Sequence, residues 1–222
     1  MPFPMTHFLV AGNILKVTPS IRDDAAFILG SVAPDAVHCR SDYRSEDKQK
    51  SHLCEGLGKW GMLSDYNAWL ENIFAFFKNA MRNDHDFLYG YCVHILCDIC
   101  GNVHNWAPFR TAYPEEAARG YRNAMTLEDG AADVWLWQNT PERDAIFERL
   151  RRGSCRDVFD WVTAGEIEGF RDGILRERYA GAGPVDISGH RFAAEDAVRS
   201  FIGTATKYVL KILKMFEGEN TV

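Results

Sequence analysis

Apolar positions in this chain recur mostly at intervals of three and four, the spacing of one face of an α-helix, and nowhere alternate long enough to mark a strand. The pattern predicts a first helix over 7–17, with Thr6 as its cap. A second follows over about 20–30, introduced by Thr18, Pro19 and Ser20. Residues 31–63 break the rhythm. Pro34, Gly56, Gly58 and Gly61 punctuate them, and they read as a long irregular connection. A connection of that length inside a compact domain usually serves a function.

After Ser64, the positions Trp69, Leu70, Ile73, Phe74, Phe77, Ala80 and Met81 define a strong helix. Asn83 and Asp84 end it and cap the next, which runs through YGYCVHILCDICGNVHNW from Tyr89 to Trp106. Pro114 opens a helix rich in Glu and Ala, and Thr140 with Pro141 begins a shorter one. Pieces around 154–164 and 165–180 follow, then a loop at Gly181, Gly183 and Pro184. The last helix, about 190–216, carries Ala194, Val198, Phe201, Ile202, Ala205, Val209, Ile212 and Phe216 on one stripe, expected to face the core. No repeat interrupts this order, and the chain reads as a single all-α domain over 1–222.

The segment from Tyr89 to Trp106 changes the picture from fold to chemistry. His94 and Asp98 are four residues apart, so a helix stacks them on one face. Asp98 lies among Ile95, Leu96, Cys97, Ile99 and Cys100, where an uncompensated carboxylate is costly. A metal ion is the simplest compensating charge, and imidazole with carboxylate is a ligand mix that zinc accepts. His7 opens the first helix, Asp35 follows Pro34 in GSVAPD, and His52 lies in KSHL. With His94, Asp98 and His104 these make six candidate ligands from four segments.

His104 stands ten residues after His94, about 80° short of a whole number of helical turns, which suits a neighbouring ion better than the same one. Each residue also has a plainer reading. A single histidine on an apolar face is commonly a hydrogen-bonded core residue, Asp35 can terminate a turn, and His38 can replace His52 as a ligand.

Composition narrows the classes. The net charge of −6 argues against general nucleic-acid binding. No apolar run reaches the roughly 18 residues a membrane span needs. The start MPFPMTHFLVAGNILKV lacks the basic and cleavage-site features of a signal peptide, so the cytoplasm is the expected location. Six cysteines are too few for a disulfide scaffold. Cys97 and Cys100 form a CxxC with no second CxxC to complete a structural zinc site.

THFLVA at 6–11, GSVAPD at 30–35, KSH at 50–52 and GYCVHILCD at 90–98 followed by His104 together resemble the zinc-dependent phospholipase C family, which shares its fold with the P1/S1-type nucleases. The resemblance implies an all-α fold with one to three zinc ions in a cleft. It implies Asp35, His52, His94 and Asp98 as ligands of one zinc, Asp98 bridging to a second that also takes His7, and His104 belonging to a third. It further implies hydrolysis of a phosphodiester or phospholipid-type substrate by a metal-activated water, with Asp35 positioning or deprotonating that water.

Two departures stand out. The family's N-terminal Trp is missing, since the chain begins MPFPMTH, and no H-x3-E follows His104, where the region reads PEEAARGYR. Glu115 and Glu116 are the nearest substitutes, and one or two metals are expected more readily than three. Two alternatives have their own residues. An HD-type phosphohydrolase would use His85–Asp86, a pair that helix capping explains better. A non-catalytic helical domain would keep the metal for stability or bind a partner through 31–63.

Overall fold

The structure is a computed structural model that describes residues 3–80 and 85–218. Its described helices are α1 (Pro4–Leu15), α2 (Asp24–Gly30), α3 (Ser45–Ser51), α4 (Tyr66–Ala80), α5 (His85–Gly101), α6 (Ala107–Ala112), α7 (Pro114–Ala117), α8 (Ala124–Asn139), α9 (Arg143–Arg152), α10 (Ala164–Arg176) and α11 (Glu195–Glu217). Short 3-10 helices span Ala33–Cys39 and Gly120–Arg122, and a π-helical turn spans Asn102–Trp106. Among the described residues the only extended pairing is an isolated antiparallel bridge between Val158 and Val162. The all-α expectation holds.

α5 is the axis of the molecule. Every residue from Tyr89 to Gly101 is buried, as a helix apolar on all sides requires. α1, α2, α4 and α11 surround it. One apolar core runs from Met5 to Leu213. The stripe Ile202, Ala205, Val209 and Ile212 of α11 lies in it, with Val198, Phe201 and Phe216 packed against it, as the helical spacing predicts.

Two glycines let α2 and α5 approach backbone to backbone. A Cβ on Gly30 would stand 2.0 Å from the Phe87 carbonyl oxygen, and one on Gly90 would stand 2.1 Å from the Phe27 carbonyl oxygen. The crossing is therefore reciprocal: each helix puts its glycine against the other's backbone. These are the first residues of GSVAPD and of GYCVHILCD, so the glycines of the two motifs fix the distance between the polar residues that follow them.

Asp133, 1% exposed on α8, ties three parts of the fold together. Its carboxylate accepts the Met5 backbone N–H (2.8 Å), the Arg178 Nε–H (2.8 Å) and the Tyr179 hydroxyl (3.0 Å). This pins the first turn of α1 and so places His7 two residues on.

Several boundaries differ from the sequence expectation. α1 starts at Pro4, because proline's fixed φ suits the first helical position, where lacking an N–H loses no helical hydrogen bond, and Thr6 lies inside the helix. α2 starts at Asp24, because the Asp23 carboxylate accepts the Ala26 N–H. The 31–63 connection contains a 3-10 helix and α3 before it becomes irregular. The helix expected from Pro114 stops after four residues, and Gly120 at φ 60° turns the chain before Asn123 caps α8. Residues 154–163 form no helix; they hold the Val158–Val162 bridge. Asn83, Asp84 and Met81 lie outside the described residues.

Candidate metal centre

Four elements bring five of the six sequence-predicted ligands together. His7 comes from α1, Asp35 from the 3-10 helix, His52 from the C-terminal cap of α3, and His94 and Asp98 from α5. Two sets of ligand atoms each gather within 4.8 Å: His7, His94 and Asp98, and Asp35, His52 and His94.

The central contacts are closer than that. His52 Nε2 stands 3.2 Å from His94 Nε2 and 3.4 Å from Asp98 Oδ2. It is also 3.4 Å from Asp35 Oδ1. His94 Nε2 lies 3.8 Å from Asp98 Oδ2 and 3.9 Å from Asp35 Oδ2. Atoms about 2.0–2.1 Å from a tetrahedral zinc stand roughly 3.4 Å from one another, so these separations fit one ion's shell.

Hydrogen bonding decides which atoms carry protons. His94 Nδ1 stands 2.9 Å from the Ser31 carbonyl oxygen, which can only accept, so Nδ1 holds the proton and Nε2 a lone pair. Ser51 Oγ donates to the Lys48 carbonyl oxygen and therefore accepts from His52 Nδ1 at 2.9 Å, again leaving a lone pair on Nε2. Two imidazole lone pairs then face each other beside the Asp98 carboxylate, in a site shielded from water. That juxtaposition is repulsive until a cation enters it. The residues fit zinc, and the same Nδ1 bonds are the outer supports that orient metal-binding imidazoles.

The supports reach further. Tyr91 donates its hydroxyl to the Ser51 carbonyl (2.6 Å), Trp69 Nε1 donates to the His52 carbonyl (2.7 Å), and Asn72 Nδ2 donates to the Leu53 carbonyl (3.0 Å). Together they hold the tight bend after α3, where Leu53 sits at φ 59°. Arg40 bonds Asp47, Glu166 and the Trp161 carbonyl, locking the 3-10 helix and α3 against α10. Replacing Ser51 with alanine is expected to weaken zinc affinity about 10- to 100-fold, measured by competition with a chelator, because His52 loses its tautomer and orientation.

His7 faces a second position. Its ring stacks on that of His94 with centroids 3.8 Å apart, and its Nε2 is 3.6 Å from Asp98 Oδ1. Neither of its nitrogens has a hydrogen-bond partner among the described residues although His7 is 1% exposed. The two oxygens of Asp98 thus point different ways, Oδ2 toward His52 and His94 and Oδ1 toward His7.

His104 is not brought in. It is exposed on the π-helical turn, outside both sets, because the wider turn after Gly101 carries it off the buried face of α5. Cys97 and Cys100 are buried thiols outside both sets, and burial pushes their pKa values up. His85 and Asp86 pair with each other at 2.8 Å, and the Asp86 carboxylate accepts the backbone N–H groups of Arg22 and Asp23. It supports the start of α2 and has no open coordination.

Lys48 is the residue that sequence reasoning missed. Only 3% exposed, it places Nζ 2.8 Å from Asp35 Oδ1. The signal was its i, i+4 relation to His52, which puts both on one side of α3. Burial opposes its charge, but Asp35 and Asp98 outweigh burial and hold its pKa above the ordinary lysine value. Burial would likewise raise Asp35, yet Lys48, with His38 next, holds it well below the usual carboxylate range. Burial also opposes the charge on Asp98, yet its pKa is held below the ordinary carboxylate value, with Lys48 the fixed positive charge among the groups that lower it.

Burial pushes His94 down to about 3, with His7 adding to the shift, and lowers His7 itself. Both are therefore neutral in the fold while the unfolded chain protonates them below about 6.5. Metal-free protein is expected to hold its full histidine-linked stability above pH 6.5 and lose it as pH falls toward 3. His94 alone accounts for roughly 2 kcal/mol lost between pH 7 and 5, readable from denaturant midpoints.

Among the described residues of the centre, those on the Asp35 side are the least enclosed. Asp35 and His38 have side chains 16% and 34% exposed, against 2% or less for His7, His52, His94 and Asp98. Tyr43 packs against the His38 ring on that side.

A family model described as zinc dependent phospholipase C matches residues 6–166. No curated protein and no solved structure matches the chain. The match covers most of the chain and every residue of the centre, and the chain belongs to the zinc-dependent phospholipase C family.

Proposed function

We propose that this member of the zinc-dependent phospholipase C family hydrolyses a phosphodiester of a phospholipid headgroup, acting as one domain in the cytoplasm with one or two zinc ions. The observation that carries this reading is the convergence of His52 Nε2, His94 Nε2, Asp98 Oδ2 and Asp35 on one point, with both imidazoles holding their protons on the far side. Asp35, His52, His94 and Asp98 would hold one ion, and His7 with Asp98 Oδ1 would hold a second. Zinc bound there supplies Lewis-acid polarisation of the phosphate and makes water a usable nucleophile at neutral pH.

The chain's own residues do the rest. Asp35 is the only one of the five with appreciable exposure, so it meets the incoming phosphodiester and orients the attacking water. Lys48 holds the Asp35 carboxyl well below the usual carboxylate range, which suits it to position that water by accepting a hydrogen bond. Trp60, T-shaped against His52, and Trp69 behind it seal the inner side against bulk water. No helix among the described residues is long and apolar enough to cross a membrane, so a lipid substrate would be met from the aqueous side.

Purified protein should contain zinc and release phosphorylated headgroup from phosphatidylcholine vesicles, with loss of turnover on chelation and recovery on adding zinc. Turnover unchanged by chelator and by His94→Ala would reject the reading. A second reading draws on the burial of four of the five ligands, since closed zinc sites are commonly structural. In that case chelation lowers the melting temperature while a broad phosphoester panel shows no hydrolysis.

A further inference from the structure

Lys48 occupies a place where the chemistry of the centre calls for a cation. Asp35 Oδ1 has three polar neighbours: Lys48 Nζ at 2.8 Å, His52 Nε2 at 3.4 Å and His38 Nε2 at 3.6 Å. Lys48 Nζ is in turn 3.5 Å from His38 Nε2 and lies 4.5 Å over the ring of Trp60. The ammonium therefore sits between a carboxylate oxygen and an imidazole nitrogen, with an aromatic face closing the third side. A metal ion held between Asp35 Oδ1 and His38 Nε2 would need the position that the ammonium fills. The two cannot coexist, by volume or by charge.

We propose that Lys48 is a resident cation that takes the place of a metal ion beside Asp35 and so sets how many ions the centre binds. The inference rests on the metal-centre reading above and deepens it. With one side of Oδ1 held by Lys48, Asp35 keeps Oδ1 toward His52 at 3.4 Å and Oδ2 toward His94 at 3.9 Å for the inner ion. Asp35 then serves one ion, and His38 stays outside the shell. The ammonium supplies fixed positive charge beside the one ligand that reaches solvent, in the chain that lacks the downstream H-x3-E. A lysine buried this deeply is retained only with a fixed partner, and the geometry gives it one.

The test is metal content by mass spectrometry after loading with excess zinc and desalting, on wild type, Lys48→Met, His38→Ala and the double variant. Methionine keeps the length of the stem and removes the charge. Folded Lys48→Met is expected to hold one zinc equivalent more than wild type, and Lys48→Met/His38→Ala to return to the wild-type value. His38→Ala alone is expected to match wild type, and being a surface change it reports even where Lys48→Met fails to fold.

Wild-type zinc content in folded Lys48→Met would overturn the inference. So would loss of an equivalent in His38→Ala, because that places His38 in the native shell. Absence of zinc from wild type itself overturns the metal-centre reading along with this one, whereas a loaded wild type with no gain in Lys48→Met overturns this one alone.

Discussion

Alanine in place of His94 is expected to strip zinc from the protein and cut phosphodiester hydrolysis about a thousandfold, or ~4 kcal/mol of transition-state stabilisation. His94 belongs to both candidate ligand sets, so its loss removes an atom from each. Its Nε2 is the near neighbour of His52 Nε2 and Asp98 Oδ2, and its ring is the surface on which His7 stacks. The lost ligand cannot be replaced from nearby. Cys97 and Cys100 are buried outside both sets, and His104 is exposed on the π-helical turn. Zinc content and kcat/KM should fall together. A His94→Ala protein that keeps its zinc and its activity would show that the ion sits elsewhere.

Gly90→Ala is expected to have the largest effect on stability of any single methyl addition on α5. The new carbon would meet the Phe27 carbonyl oxygen at 2.1 Å and the Ser31 amide nitrogen at 3.0 Å. Backbone cannot rotate aside as a side chain does, so α2 and α5 must move apart. Overpacking of this kind costs about 3 kcal/mol, roughly 6–12 °C in melting temperature for a chain of this size. The separation also carries the Ser31 carbonyl away from His94 Nδ1, so zinc affinity should fall with stability. Gly12→Ala, where nothing lies within 4 Å, is the matching control and should melt close to wild type.

The polar centre was legible in the sequence because its candidate ligands sit in short motifs whose chemistry does not depend on the rest of the fold. The four-residue spacing of His94 and Asp98, inside an apolar helix, already required a compensating charge. His7, Asp35 and His52 joined them as the motif order suggested. His104 did not, because a π-helical turn after Gly101 changes the angle that a regular helix would give.

Lys48 stayed hidden because α3 is polar along its length, SEDKQKS, and carries no apolar stripe to announce a buried side. Its burial comes from contacts with Asp35 and Trp60, which are tertiary. α9, α10 and α11 were legible as helices but not as parts of the site. The later part of the chain contributes support, as in Glu166 on Arg40 and Asp133 on the Met5 amide, and the family match accordingly runs to residue 166, past the last ligand. The glycines at 30 and 90 were visible as letters. Their reason, two helices in backbone contact, exists only in the folded chain.

Anomalous X-ray scattering at the zinc edge from crystals of the native protein addresses the central claim most directly. A zinc peak is expected bounded by His52 Nε2, His94 Nε2, Asp98 Oδ2 and Asp35, with Lys48 Nζ still on Asp35 Oδ1. A native crystal with no anomalous peak among these four side chains, or with its zinc bound at another place, would contradict it.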